Sequence, residues 1–246
     1  MSSIVEAVHA IRERRPRRVV AFTGAGVSAE SGIPTFRGAG GLWRNFRAED
    51  LATPDAFRRD PKLVWEWYEW RRGLIRDARP NAAHEAIARL EHALPETVVV
   101  TQNVDGLHAR GGSRNVIELH GNIHRVRCMR EGTTELRDAP LPSIPPYCAT
   151  CGSLLRPDVV WFGEMLSEQA LADAASAIRR ADLLLVIGTS GVVFPAAALV
   201  THCSGLSIEI NPQSSGLSST CSLALAETAA TATPLLVDAI LEVQRD

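Results

Sequence analysis

Three groups of residues in this chain have the types and spacing that bond-making chemistry requires. The stretch Gly24-Ala25-Gly26-Val27-Ser28-Ala29-Glu30-Ser31-Gly32 follows the apolar run Val19-Val20-Ala21-Phe22. Closely spaced glycines at the end of a buried strand bring backbone N–H groups up to a pyrophosphate, and a following helix N-terminus favours its negative charge. Gly24, Gly26 and Ala29 satisfy the G-x-G-x-x-G/A dinucleotide pattern. The second group, Gln102-Asn103-Val104-Asp105, follows the β-branched run Val98-Val99-Val100-Thr101. Its amides suit a ribose or a carboxamide, and its acid can accept from an amide N–H, although turn formation alone also favours Asn and Asp after a strand. The third is His120, which closes Val116-Ile117-Glu118-Leu119 ahead of Gly121. An imidazole titrates near neutral pH and is the usual general base. Among the other histidines, His9, His84, His92 and His202 fall on predicted helices as surface or packing residues, whereas His108 and His124 lie nearer the cleft.

These groups need a frame, and the hydrophobic pattern supplies one. Val19–Phe22, Thr97–Thr101, Val116–Leu119, Val159–Phe162, Leu183–Ile187 and Leu206–Ile210 read as strands. Between them lie helical patterns: one capped by Ser3 with Ile4, Val5, Val8 and Ile11 on one face, an aromatic one after Pro61, one after Asn81, one over Ser167–Arg180, a short one after Pro195, and one over Pro234–Val243. Strands alternating with helices predict an α/β fold, a Rossmann-like doubly wound parallel sheet, which binds ligands at the carboxyl ends of its strands. Gly24, Gln102, His120, Gly188 and Asn211 all fall at such ends. We expect residues 1–37, 81–123 and 158–246 to form this domain, 38–80 a small inserted helical region, and 124–157 a small cysteine-containing, zinc-ribbon-like module. The tract Ser214–Ser222 reads as a surface loop.

Composition narrows the function classes. A chain of 246 residues with 46% hydrophobic residues can bury a large core and is not disordered. A formal net charge of −2 argues against general electrostatic capture of nucleic acid or an anionic membrane. The basic run Arg14-Arg15-Pro16-Arg17-Arg18 is expected to end the first helix and stay solvated. No apolar leader or membrane-length stretch is evident, and five cysteines, an odd number, suit a reducing compartment; the expected location is the cytoplasm.

Read together, the motifs become specific. Gly24 to Arg37, Gln102-Asn103-Val104-Asp105, Leu119-His120-Gly121, Val160-Trp161-Phe162-Gly163-Glu164 and Gly188-Thr189-Ser190 occur in this order and resemble the sirtuins, NAD-dependent protein-lysine deacylases. The likeness runs from about residue 18 to the C-terminus. It implies that Gly24, Ala25, Gly26, Glu30, Pro34, Thr35, Phe36 and Arg37 belong to a loop over NAD, joined by Trp43. It places Gln102, Asn103 and Asp105 at the nicotinamide and its ribose, with His120 and Asn103 catalytic. Gly188, Thr189 and Ser190 then hold the adenosine side, with Asn211 and Ala229 near the adenine ribose and ring. Val160, Trp161, Phe162, Gly163 and Glu164 on one side and Gly191-Val192-Val193 on the other are similar to the edges between which an acyl-lysine peptide lies. The implied chemistry is attack of the acyl-lysine amide oxygen on the sugar as nicotinamide leaves, deprotonation by His120 of a ribose hydroxyl that attacks the resulting imidate, and entry of water to complete acyl transfer to ADP-ribose and free the lysine.

Two details bear on substrate and metal. Tyr68 and Arg71 stand three residues apart on a predicted helix and so share a face. Trp67-Tyr68-Glu69-Trp70-Arg71-Arg72 resembles the segment of class III sirtuins that binds acidic acyl tails, and Ala52 matches the small residue that widens their acyl pocket. Succinyl and malonyl removal is expected, with acetyl removal alongside. Sirtuins usually carry two Cys-x-x-Cys pairs for a structural zinc. Here Cys148-Ala149-Thr150-Cys151 is intact, but Cys128-Met129-Arg130-Glu131 has glutamate in the fourth position. Either Cys128, Glu131, Cys148 and Cys151 close a zinc site, or the site lacks its metal.

Two other function classes make different demands on the sequence. A conventional NAD(P) oxidoreductase predicts a full helix after Gly26, which Gly32 and Pro34 contradict. A non-catalytic NAD- or ADP-ribose-binding module would not need His120.

Overall fold

The computed structural model describes residues 2–35 and 48–245. Its strands are β1 (Val19–Thr23), β2 (Val98–Thr101), β3 (Val116–Glu118), β4 (Gly121–Cys128), β5 (Thr134–Leu136), β6 (Leu155–Val159), β7 (Leu183–Ile187), β8 (Leu206–Ile210) and β9 (Leu223–Leu225). Six of them form one sheet in the order β3-β2-β1-β7-β8-β9. Every pairing in it is parallel. The remaining three form a small antiparallel sheet, β5-β4-β6.

Helices cover both faces of the large sheet, and the alternation of side chains along each strand divides the core in two. Val19 and Ala21 of β1, with Leu183, Leu185 and Ile187 of β7, pack against α1 (Ile4–Arg14), α5 (Ala82–Ala93) and α8 (Ala229–Glu242). Val20 and Phe22, with Leu184 and Val186, pack against α7 (Glu168–Arg180) and the 3-10 helix Ala196–His202. A third core joins the small sheet to α3 (Pro54–Arg59) and α4 (Pro61–Asp77). α4 starts where Asp60 accepts from the Leu63 amide at 3.0 Å and Pro61 takes the first helical position. Trp65 anchors it to the small sheet, donating to the Leu155 carbonyl at 2.8 Å.

The glycine loop after β1 forms a 3-10 helix, Ala25–Ser31, ended by Gly32 in the left-handed region (φ 82°). This short turn replaces the full helix of a dehydrogenase fingerprint.

Several expectations are corrected. The apolar run Val159–Phe162 is not a strand of the large sheet. β6 ends at Val159 and is antiparallel to β4, and the chain then turns, with Gly163 at φ 86°. β4 begins at Gly121 and β6 ends at Val159, so the small sheet reaches into segments assigned to the parallel domain. Val5 is 77% exposed, because α1 buries Ala7 and Ile11 instead. α8 starts at Ala229, not Pro234, which lies inside it. The tract Ser214–Ser222 is more than a surface loop: Ser215 and Ser218 donate to the buried carboxylate of Glu209, and Leu217 is buried.

Candidate active site

A cavity of about 870 Å³ opens at the carboxyl ends of β1, β2 and β7. β1 is flanked by β2 on one side and β7 on the other, so this is where the strand order reverses, the site at which such sheets bind ligands. The loops after β1 and β7 meet there backbone to backbone. Gly24 N–H donates to the Ile187 carbonyl at 3.0 Å and Gly26 N–H to the Gly188 carbonyl at 2.8 Å. A Cβ on Gly26 would lie 2.6 Å from Gly188 Cα, and one on Gly24 2.9 Å from Thr189 Cα. These two amides are thus committed to the opposite loop. What the glycines give a ligand is close approach to bare main chain. Gln102 Nε2 donates to Thr189 Oγ1 at 3.0 Å and Asn211 Nδ2 to the Thr189 carbonyl at 3.0 Å, tying the ends of β2, β7 and β8 together.

Beneath the glycine loop lies a buried polar network. Ser28 donates to Asp105 Oδ2 at 2.8 Å and accepts from Asn103 Nδ2 at 3.2 Å. Asp105 Oδ1 accepts from the Leu107 amide at 2.9 Å. Burial raises the Asp105 pKa, opposed by these donors and by Arg71. His84 Nε2 lies 3.4 Å from Ser28 Oγ, and His108 Nε2 bonds Thr23 Oγ1 at 2.9 Å.

His120 sits at the edge of this network with one nitrogen assigned. Its Nδ1 lies 2.7 Å from the carbonyl oxygen of Gln102, an acceptor only, so Nδ1 carries the proton and Nε2 keeps its lone pair. Burial pushes the imidazole pKa below its ordinary value, opposed by that hydrogen bond. Gly121, at φ 80°, turns the chain directly after it where a side chain would collide with the Asp158 carbonyl, and Val160 N–H donates to the His120 carbonyl at 2.9 Å. The arrangement presents a neutral base to the cavity.

On the far wall, α4 contributes Tyr68 and Arg71, which are 2% and 5% exposed. Arg71 Cζ lies 4.8 Å from the Trp67 ring centroid and 5.9 Å from that of Tyr68. Burial lowers the guanidinium pKa, and Tyr68 and Asp105 oppose it. Trp161 Nε1 donates to Tyr68 Oη at 2.9 Å, leaving the phenol its own proton to donate. Trp161 is in turn held by Arg156, whose Cζ is 3.5 Å from its ring centroid. Arg156 also grips both oxygens of Glu164 at 2.5 and 2.8 Å, and Glu164 accepts from the Trp161 amide at 2.8 Å.

Gly24, Ala25, Gly26, Glu30, Thr35, Ala52, Tyr68, Arg71, Gln102, Asn103, His120, Val160–Glu164, Gly188, Thr189, Ser190, Val192, Asn211 and Ala229 all line this one cavity. Pro34 and Asp105 do not line it; Asp105 acts from behind, through Ser28. The Glu30 carboxylate is turned to the start of α8, accepting from Thr228 Oγ1 at 2.9 Å and Ala230 N at 2.7 Å. Phe36, Arg37 and Trp43 lie outside the described residues. Three residues that shape the site escape the sequence reading: Ser28, His84 and Arg156. The only available signal was Asn81, whose capping of α5 places His84 in the first turn and whose Nδ2 donates to the Val27 carbonyl at 2.8 Å.

Residues 24–195 match the Sir2 family. This chain belongs to that family. Among its relatives, an NAD-dependent protein deacylase of Aquifex aeolicus is 51% identical over 91% of this chain and 95% of its own length. A protein of the same name from Thermococcus kodakarensis is 55% identical over 82% of this chain and 83% of its own. Solved structures agree. A mutant Sir2 homologue bound to ADP-ribose superimposes with a TM-score of 0.91 at 46% identity, over 100% of this chain and 98% of that one. A Sir2–p53 peptide–NAD+ complex gives 0.81 at 31%, over 96% and 98%.

The Sir2 chain also gathers three cysteines away from the cavity. The Sγ atoms of Cys128, Cys148 and Cys151 all lie within 4.8 Å of one another, with Cys128 and Cys151 at 3.5 Å. Each pair is followed by a left-handed glycine, Gly132 at φ 68° and Gly152 at φ 69°. Glu131 N–H donates to Cys128 Sγ at 3.4 Å, and N–H groups of Cys151 and Thr150 bring the Cys148 thiol down to about 7. Converging, amide-stabilised thiols fit zinc, which takes cysteine as thiolate. The three cysteines named from sequence thus converge, while the Glu131 side chain is exposed and its carboxylate is not among the converging donors, so the alternative in which Glu131 completes a four-residue set does not form here.

Proposed function

We propose that this protein is an NAD-dependent lysine deacylase that removes succinyl and malonyl groups, and acetyl groups as well, from protein substrates. The acyl group passes to ADP-ribose, nicotinamide is released, and one water molecule is consumed as the lysine amine is set free. NAD-dependent deacylation follows from Sir2 membership and from relatives about half identical that bear that name. The acidic-acyl preference rests on one observation: Arg71 and Tyr68, one turn apart on α4 and almost wholly buried, line the same cavity as His120. A buried guanidinium with a neighbouring phenol matches a terminal carboxylate, and the low dielectric strengthens the pairing. Ala52 leaves room beside them.

The glycine cradle, where any Cβ would strike the opposite loop, fits the pyrophosphate of NAD; Gly188, Thr189, Ser190, Asn211 and Ala229 would hold the adenosine side, and Gln102 and Asn103 the nicotinamide side. Bound NAD supplies a ribose carbon from which nicotinamide departs and a hydroxyl that accepts the acyl group. His120 Nε2 takes the proton of that hydroxyl, while Nδ1–H remains fixed on the Gln102 carbonyl. Phe162, Val192 and Phe194, 46%, 53% and 73% exposed, give the cavity an apolar border that an extended peptide would cover.

The test compares kcat/KM on succinyl-, malonyl- and acetyl-lysine peptides for the wild type and Arg71→Met. Loss of a charge-assisted pair of about 2–3 kcal/mol should cost the acidic substrates roughly a hundredfold and acetyl-lysine little. Equal loss on all three removes the carboxylate clamp. Mass spectrometry of the products should show O-succinyl-ADP-ribose.

A further inference from the structure

A second concavity, of about 580 Å³, lies at the opposite end of the large sheet, where β1, β7 and β8 begin. Arg14, Arg15, Arg17, Arg18, Arg179 and Arg180 line it, with Asp182 the one acid among the described residues that do so. In a chain of formal charge −2 this is a sharp local asymmetry. The arginines come from three places: the end of α1, the approach to β1, and the end of α7. A cation in the last turn answers a helix dipole, but that accounts for the charge of each helix end separately, not for their convergence on one concavity.

Asp182 is already committed. It accepts from the amides of Arg17 and Arg18 at 3.1 and 2.9 Å and from the Arg18 guanidinium at 2.7 Å, which fixes the floor of the cleft. Among the described residues, no carboxylate pairs with the guanidinium of Arg14, Arg17, Arg179 or Arg180. Arg15 holds a left-handed backbone at φ 46°, a conformation that costs a residue with a Cβ roughly 1 kcal/mol and that glycine would adopt freely. Its guanidinium donates to the Val243 carbonyl at 2.6 Å, pinning the rim to the C-terminal helix. Six guanidinia against one carboxylate leave an excess of five positive charges. The two helix C-termini, about half a charge each, do not offset it.

We propose that this cleft binds a chain of phosphates, carried by a free oligophosphate or by a nucleoside triphosphate. Guanidinium forks match phosphate oxygens two at a time. Among the described residues no aromatic side chain lines the cleft, so none of them stacks on a base, and the contact is with phosphates alone. The length of β1, roughly 16 Å at ~3.3 Å per residue, separates this cleft from the cavity that holds His120, so both can be filled together.

The test is calorimetric titration of the full chain with tripolyphosphate at low salt, with NAD saturating the other cavity. One site per chain is expected. It should weaken at least about tenfold in Arg179→Gln/Arg180→Gln and in Arg14→Gln/Arg17→Gln, and again in the wild type at raised salt, with deacylation unchanged. ATP should bind no tighter than tripolyphosphate. Unchanged affinity in both double variants overturns the proposal. So does ATP binding more than tenfold tighter, which would require nucleoside contacts. A wild type that ignores tripolyphosphate but holds a short DNA duplex overturns it in favour of a nucleic-acid surface.

Discussion

Acid should unfold this protein through two imidazoles that solvent hardly reaches. His84 is fully buried and His108 is 2% exposed, with their rings 4.8 Å apart. Burial pushes His84 down to about 4; burial, with His84 as neighbour, pushes His108 down to about 3. In an unfolded chain both return to about 6.5. The folded values are depressed, so as the pH falls the unfolded state takes up protons first. The stability linked to the pair is therefore complete above about pH 6.5 and is lost on the way down to about pH 4 for His84 and about pH 3 for His108. Near pH 5 each contributes a loss of about 2 kcal/mol, and the pair about 4, at about 1.36 kcal/mol per unit. Asp105 has the opposite sign, since burial raises its pKa; it is retained in wild type and variant alike. Urea unfolding of the wild type and His84→Asn, each near pH 7 and pH 5, gives the measurement. The wild type should lose about 4 kcal/mol between the two conditions and the variant about half of that. Equal losses would refute the assignment of the acid sensitivity to these rings.

His120 must be neutral at Nε2 to accept a proton, and burial holds its pKa below 6.5, so kcat/KM should be level at neutral pH and fall only below 6.5. An acid limb centred above 7 in the pH–rate profile contradicts this, and His120→Ala should cost about 10²–10⁴-fold. Arg156→Met removes both the grip on Glu164 and the stacking on Trp161, which should raise the peptide KM about tenfold while kcat changes much less; steady-state kinetics with an unaltered KM rejects that role. Protein purified without chelator should contain about one zinc per chain by elemental analysis, and Cys148→Ser should release it and lower the melting temperature. A metal-free wild type would end that expectation.

The strands beneath the cavity were legible because their side chains are apolar on both faces. Val98–Thr101 and Leu183–Ile187 have no polar alternation to blur their limits, and the glycine and amide motifs that follow them sit where the sheet rule puts ligands. Legibility failed where a short-range pattern met a long-range partner. Val160-Trp161-Phe162 has strand composition, yet Arg156 and Glu164 close it into a turn across eight residues. Leu223–Leu225 is too short to announce itself after a serine tract. Pro234 suggests a helix start, but the helix is set earlier, where Glu30, 200 positions away in the chain, caps it through the Ala230 amide. His84 carries the marks of a helix surface residue. Its burial depends on Asn81 docking that helix end against the Val27 carbonyl, which no local pattern encodes.

The interlocked loops after β1 and β7 meet chiefly through main chain, at Gly24, Gly26 and Gly188. Their mutual shape is consequently immune to ordinary substitution: it can be destroyed by adding an atom but not adjusted by one. The opposite wall, along α4 and the Trp161 turn, is held to a larger extent by side chains, among them Tyr68, Arg71 and Trp161, which substitution can change. The chamber is in this sense bounded by two kinds of wall, one fixed by main-chain geometry and one built of exchangeable side chains.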